Sequence, residues 1–271
     1  MKRSIMRNNK FREARKAFNR HIRKEKMTFY IYFVLRALVL LTMIAQIYNR
    51  NFENVFLCIL TLVLLMLPSI FEMQFKIDLP NAMEVIIMLF IFAAEILGEI
   101  NEYYIIFPFW DTMLHTINGF LAAAIGFSLV DILNRTEKLK FDLSPAFVSL
   151  VGFCFSMTIG VLWEFFEYGV DKFLGFDMQK DTVINTIRTV LLDPAGGNKV
   201  FVINNINEVI INGQELGLGG YIDIGLIDTM LDLWVNFIGA AVFSVIGYFY
   251  IKSRGKNKMA EHFLPRRIRK K

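Results

Sequence analysis

Cysteine is almost missing from this chain. Only Cys58 and Cys154 occur in 271 residues, both inside apolar segments and neither at a ligand-like spacing. A thiolate metal site is thereby excluded, and each thiol reads as a small apolar group in a packed helix. A cleavable signal is missing too. The N-terminus is a long basic tail, with no A-x-A-like site after a short apolar core. Residues 98–110 contain no Lys or Arg, and residues 169–225 are not of low complexity. What is abundant is apolar: 55% of the chain is hydrophobic, with 27 Phe and a mean hydropathy of +0.45. That is too apolar for a soluble globular domain.

A spanning helix needs about 20 mostly apolar residues. Six segments reach or approach that length: Thr28–Tyr48, Phe52–Phe71, Ala82–Leu97, Asp111–Leu133, Ser144–Tyr168 and Leu226–Ile251. Residues 2–26 hold eleven Lys and Arg and residues 252–271 hold nine, out of thirty in all. The positive-inside rule places both tails in the cytoplasm, which requires an even number of spans, and six satisfies it. Arg135, Lys138 and Lys140 then lie in a cytoplasmic loop, while 98–110 and 169–225 lie outside. The expected fold is an all-α polytopic membrane protein of about six transmembrane helices. Its domains are a basic cytoplasmic tail 1–27, a membrane domain 28–251 and a second basic tail 252–271. The membrane is the bacterial cytoplasmic (plasma) membrane, and the tails suit anionic lipid headgroups rather than nucleic acid. Arg12, Arg15, Lys16, Arg20 and Arg23 share one side of an interfacial helix.

Within 169–225 a small extracytoplasmic insertion is expected. Asp181–Leu192 starts with an N-cap residue and reads as an amphipathic surface helix, ended by Asp193-Pro-Ala-Gly-Gly-Asn. Residues 200–211 read as two strands about an Asn-rich turn, and Gly213–Gly220 as a loose glycine-rich link.

The chain is organised around Trp110–Gly119, WDTMLHTING. Asp111, His115 and Asn118 form one stripe of a helix at its outer end. The phrase returns as Asp228-Thr-Met-Leu-Asp232, and both copies run on into small residues, Ala122–Ala124 with Gly126 and Gly239–Ala241. Such faces allow two helices to pack closely. The topology brings Glu95, Glu99, Glu164, Glu167, Asp171 and Asn236 to the same outer depth. Each charge at depth costs about 2.5–3.5 kcal/mol, so these groups must face one another, water or a cation rather than lipid. Arg36, near the middle of the first span, needs a partner such as Glu84 or Glu95.

Carboxylates with one imidazole form the ligand set of a divalent cation such as Zn, Mn, Mg or Fe. They are equally the parts for acid–base chemistry, with His115 as base and a carboxylate orienting it. Candidate metal ligands are Asp111, His115, Glu164, Glu167, Asp228 and Asp232, and candidate catalytic residues are His115, Glu164 and Asp232. Asp111 and Asp228 can also be read as helix caps, and Asn118 and Asn236 as interhelical hydrogen-bond glue.

Aspartate-x3-histidine opening one span, an acidic pair at a span end, then aspartate-x3-aspartate-x3-asparagine resembles the YjdF-like bacterial inner-membrane proteins over most of residues 82–251. More distantly, Asp111/His115 and Asp232/Asn236 resemble the VanZ-like family. That second resemblance implies an envelope role, although Glu164-Phe-Phe-Glu167 stands where VanZ-like chains carry glutamate-x2-glutamine. Three functions follow as expectations. The first is a metal-dependent or acid–base enzyme on a lipid or lipid-linked envelope substrate at the outer leaflet. The others are a cation- or proton-coupled transporter and a structural membrane partner without catalysis.

Overall fold

The computed structural model describes residues 26–75, 77–134, 143–253 and 266–267. The expected interfacial helix of the N-terminal tail, most of the C-terminal tail and the loop with Arg135, Lys138 and Lys140 lie outside them. The protein is mostly helical, and five helices are long and apolar enough to cross a membrane. They are Thr28–Tyr48, Phe52–Gln74, Trp110–Asn134, Pro145–Leu174 and Leu226–Lys252. Strands are short and pair two by two, the first, Ile77–Asp78 (β1), with the last, Arg266–Arg267 (β8).

In chain order, α1 is Lys26–Tyr48, α2 Phe52–Leu64 and α3 Leu67–Phe75. Asn51 caps α2, its Oδ1 accepting the Asn54 N–H at 3.1 Å. The break between α2 and α3 precedes Pro68, which has no N–H to donate and whose ring crowds the carbonyl four residues back.

The expected third span, Ala82–Leu97, departs from a plain α-helix. It begins as α4, Asn81–Phe92, and continues as a π-helix, Ala93–Ile100. At roughly 1.5 Å per residue the two pieces together still approach the thickness of a bilayer core. The switch of hydrogen-bond period disturbs the ladder, and the indole N–H of Trp110 donates to the Ala93 carbonyl at 3.2 Å. Asn101 closes the far end, donating from both its backbone N–H (3.1 Å) and its side-chain amide (2.6 Å) to the Ile96 carbonyl. Then follow α5 (Tyr103–Ile106), α6 (Trp110–Asn134), α7 (Pro145–Leu174) and α8 (Leu226–Lys252). Helix α7 starts with proline at its first position, where the missing N–H is harmless, and Ser144 Oγ accepts the Phe147 N–H at 3.2 Å.

The chain forms two compact units, residues 1–160 with 235–271, and residues 161–234. The first holds two apolar clusters. One gathers Leu35, Val39, Cys58, Leu65, Met88, Ile91 and Ile96 from α1, α2, α4 and the π-helix. The other gathers Met83, Leu121, Ala123, Ala124, Phe127, Val148, Ala240 and Phe243 from α4, α6, α7 and α8. The small residues act as their spacing predicts. A Cβ on Gly119 would overlap the Asn236 carbonyl, and one on Gly239 the Thr116 carbonyl, so α6 and α8 meet backbone to backbone. Asn118 meets Asn236 at one end and Phe127 meets Gly247 at the other, so these helices run parallel. Helix α7 runs antiparallel to α6: Ser156 Oγ donates to the Gly119 carbonyl at 2.8 Å, while Gly152 faces Ala123 and Phe127.

In the second unit two expectations fail. Residues 181–192 form no helix. Val183–Ile184 (β2) pairs antiparallel with Tyr221–Ile222 (β7), and Ile187–Thr189 (β3) with Phe201–Ile203 (β4). The segment is rich in β-branched Thr, Val and Ile, and available partner strands outweigh the capping signal at Asp181. Nor do the two halves of 200–211 pair with each other. Ile210–Ile211 (β5) pairs with Gln214–Glu215 (β6) across Asn212-Gly213, both at positive φ. That is an Asn-Gly type I′ hairpin, inside the stretch read as loose.

Candidate functional site

The second unit brings three of the expected ligands together. Glu164 and Glu167, one helical turn apart on α7, face Asp232 near the start of α8, and one oxygen from each carboxylate lies within 4.8 Å of the others. All three are buried, at 5%, 8% and 3% exposure. Both Glu164 oxygens are out of solvent. Glu167 is oriented from its own helix: Trp163, four residues earlier, donates its indole N–H to Oε1 at 2.8 Å and stacks on Phe166.

Electrostatics limit what such a cluster can be. Two unit negative charges 4.8 Å apart repel by about 3.5 kcal/mol at an effective dielectric of 20, and three carboxylates make three such pairs. Desolvation adds to this. Either a cation neutralises the trio or protons do.

Asp228 is not part of that trio. Its Oδ2 accepts the Lys180 backbone N–H at 2.9 Å, and next to it Thr229 Oγ1 accepts from the Gln179 amide at 2.5 Å. Asp171 accepts the Met178 and Gln179 N–H groups at 2.6 and 2.9 Å. These aspartates fasten the 176–182 strand of loop to the helix ends. One residue with such a role escaped the sequence reading. Asp223 accepts Ile227 N–H at the start of α8 and Thr182 N–H, each at 2.7 Å. The signal was an Asp just before an apolar run, which is what marks a helix N-terminus.

In the first unit, Asp111 and His115 meet across one turn of α6, with Nε2 3.4 Å from Oδ1. A carboxylate so placed orients the ring and favours one imidazole tautomer. Asn118 and Asn236 serve as interhelical glue. Asn118 Nδ2 donates to Asn236 Oδ1 at 3.2 Å, and Asn236 Nδ2 reaches the Ser156 carbonyl at 3.5 Å. Arg36 does not meet Glu95 in an ion pair among the described residues; its guanidinium lies over the Tyr32 ring, 4.2 Å from the centroid.

Residues 30–253 match the family model described as Predicted membrane protein (DUF2238). The chain belongs to that family. A Thermotoga maritima protein described as an uncharacterized protein is 27% identical over 129 residues, which is 46% of this chain and 64% of the relative's length. The chain thus spans less than two thirds of that relative. No solved structure matches it.

Proposed function

We propose that Glu164, Glu167 and Asp232 hold a divalent cation, and that the protein is a metal-dependent or acid–base enzyme acting on a lipid or lipid-linked substrate. The carrying observation is the buried trio itself, with one oxygen from each carboxylate inside a 4.8 Å span. All-oxygen donors suit Mg²⁺ or Mn²⁺ better than a soft metal, and Zn²⁺ would draw more on imidazole. His115, held by Asp111, is the acid–base group of this reading. The basic tails support a topology with both termini in the cytoplasm and the trio at the extracytoplasmic end of its helices. The YjdF-like resemblance agrees with the family match, whereas the envelope role implied by the VanZ-like resemblance rests on neither comparison. Elemental analysis of the purified protein tests the reading. Stoichiometric metal is expected, lost in Glu164→Gln and in Asp232→Asn; equal metal in wild type and both variants sinks it.

A cation- or proton-coupled transporter is the second reading. The echoed helices favour it, because α6 and α8 run parallel and touch at aligned positions of the two copies, as internal repeats in transporters do. Proton or cation flux in proteoliposomes, abolished by Asp232→Asn, would rank it first.

A further inference from the structure

Glu95 belongs to the first unit and is used by neither reading above. It sits in the π-helix at 2% exposure, and its Oε2 has no hydrogen-bond partner among the described residues. A π-helical turn inside a longer helix breaks the regular backbone ladder, and such turns recur at functional positions. Here that turn places an acid among apolar side chains.

The elements packed against the π-helix are α2, α4, α5 and α6. Not one of them contains a Lys or Arg. Their ionisable groups are Glu53 and Cys58 on α2, Glu84 on α4, Tyr103 and Tyr104 on α5, and Asp111, His115 and Asp131 on α6; the π-helix adds Glu99. All but His115 are neutral or negative, and His115 already faces Asp111 at 3.4 Å. Arg36 is on α1, which shares an apolar cluster with the π-helix; it lies over the Tyr32 ring and makes no ion pair with Glu95 among the described residues. An ionised Glu95 would be a buried anion with no counter-charge paired to it among the described residues and with an acidic neighbour, Glu99, on its own helix. A carboxylic acid avoids both penalties by keeping its proton.

We propose that Glu95 is a proton-binding site within the apolar bundle, a carboxyl group that carries a proton at neutral pH and exchanges it reversibly. The proposal names a ligand, the proton, for a residue that is not one of the trio. It stands whether or not that site holds a metal.

Infrared spectroscopy of the full-length protein in lipid nanodiscs at neutral pH tests it. The wild-type minus Glu95→Gln difference spectrum is expected to show a carboxylic-acid C=O stretch, distinct from the two carboxylate stretches. The trio's own bands are common to both proteins and cancel. A difference confined to carboxylate bands would overturn the proposal. Because Gln is neutral and of the same shape, Glu95→Gln is expected to melt at the wild-type temperature; a large drop would show that the anion is the native form. Should that variant not fold, Glu95→Asp keeps an acid in place, and its difference from wild type must still lie in the C=O band. As a second readout, dicyclohexylcarbodiimide dissolved in the lipid adds a protonated carboxyl across its C=N bond, and acyl transfer to nitrogen leaves a stable N-acylurea with no leaving group. Peptide mapping is expected to find that adduct on Glu95 and not on the exposed Glu102. The reverse distribution would count against a protonated Glu95.

Discussion

The same phrase, Asp-Thr-Met-Leu, opens α6 and α8, yet its two copies do different work. At the start of α6, Asp111 faces the imidazole of His115. At the start of α8, Asp228 binds the backbone of Lys180 in the adjoining loop, and Asp232, at the position equivalent to His115, joins two glutamates of α7. One turn further on the copies converge, with Gly119 against its equivalent, Asn236. The lesson is that a repeated phrase specifies a common packing device more firmly than a common chemistry. Packing depends on small residues at fixed spacing. Chemistry depends on what the neighbouring helix and loop bring.

The strongest way to break the comparison is at the shared crossing. Gly119→Val would drive two extra methyl groups and a Cβ into the Asn236 carbonyl, with backbone on both sides and nothing flexible to yield. We expect a loss of at least about 3 kcal/mol, near the upper end of overpacking costs, and the same at Gly239. Thermal unfolding in detergent measures it. A near-wild-type melting temperature would show that α6 and α8 do not pack as a pair.

The next effect separates the His115 position from the Asp232 position. With a divalent cation at a hundred times its Kd, mass action stabilises the folded wild type by about 2.7 kcal/mol, and chelator removes that gain. Asp232→Asn should show no such response. In chelator the order should reverse, since the variant has lost two of the three repulsive pairs in the trio. His115→Ala leaves all three carboxylates of the trio in place and should keep a response to metal. If His115→Ala and Asp232→Asn respond alike, the two copies share one chemistry and the contrast drawn above is wrong.

A third and smaller effect separates the two aspartates. Asp228→Ala leaves the Lys180 N–H without its acceptor, which costs about 1.5 kcal/mol, the lower end for a hydrogen bond to a charged group. Faster hydrogen exchange and proteolysis around residues 178–182 should follow. Asp111→Ala should leave that loop unchanged.

How much of this was legible follows the same division. Long apolar runs announced the helices, and the small residues after each Asp-Thr-Met-Leu announced the close crossing, because both properties belong to single segments. The sequence did not show the π-helix, whose first carbonyl, that of Ala93, is met by Trp110 from another element. The 181–192 stretch went wrong for a related reason: its N-cap Asp and mixed pattern suit a helix, but Ile187–Thr189 finds its partner only when Phe201–Ile203 arrives. The Asn212-Gly213 hairpin is readable from two residues, but the glycines that follow it give the same stretch the composition of a loose link. Of the candidate site, Glu164 and Glu167 were identifiable as a pair from their spacing. Which aspartate of α8 they would meet was not.

The finest test lies in the loop that Asp228 holds. Asp181 is largely exposed, yet its carboxyl is pushed above the usual aspartate range, first by partial loss of water and then by Asp177, Asp223 and Asp171 around it. The folded protein therefore holds this proton more tightly than the unfolded chain does. The stabilisation from that proton is complete below the unfolded carboxylate range and disappears as pH rises through the folded value, so at neutral pH Asp181 weighs slightly against folding. Asp181→Asn removes the repulsion. Its loop should resist protease a little better than wild type at neutral pH, with the gap closing on acidification to about pH 3 and narrowing with added salt. A gap that widened in acid would mean that Asp181 is stabilised as an anion by a cation in the loop. The acidic surround would then be a binding feature, and Asp228 would hold more than a backbone.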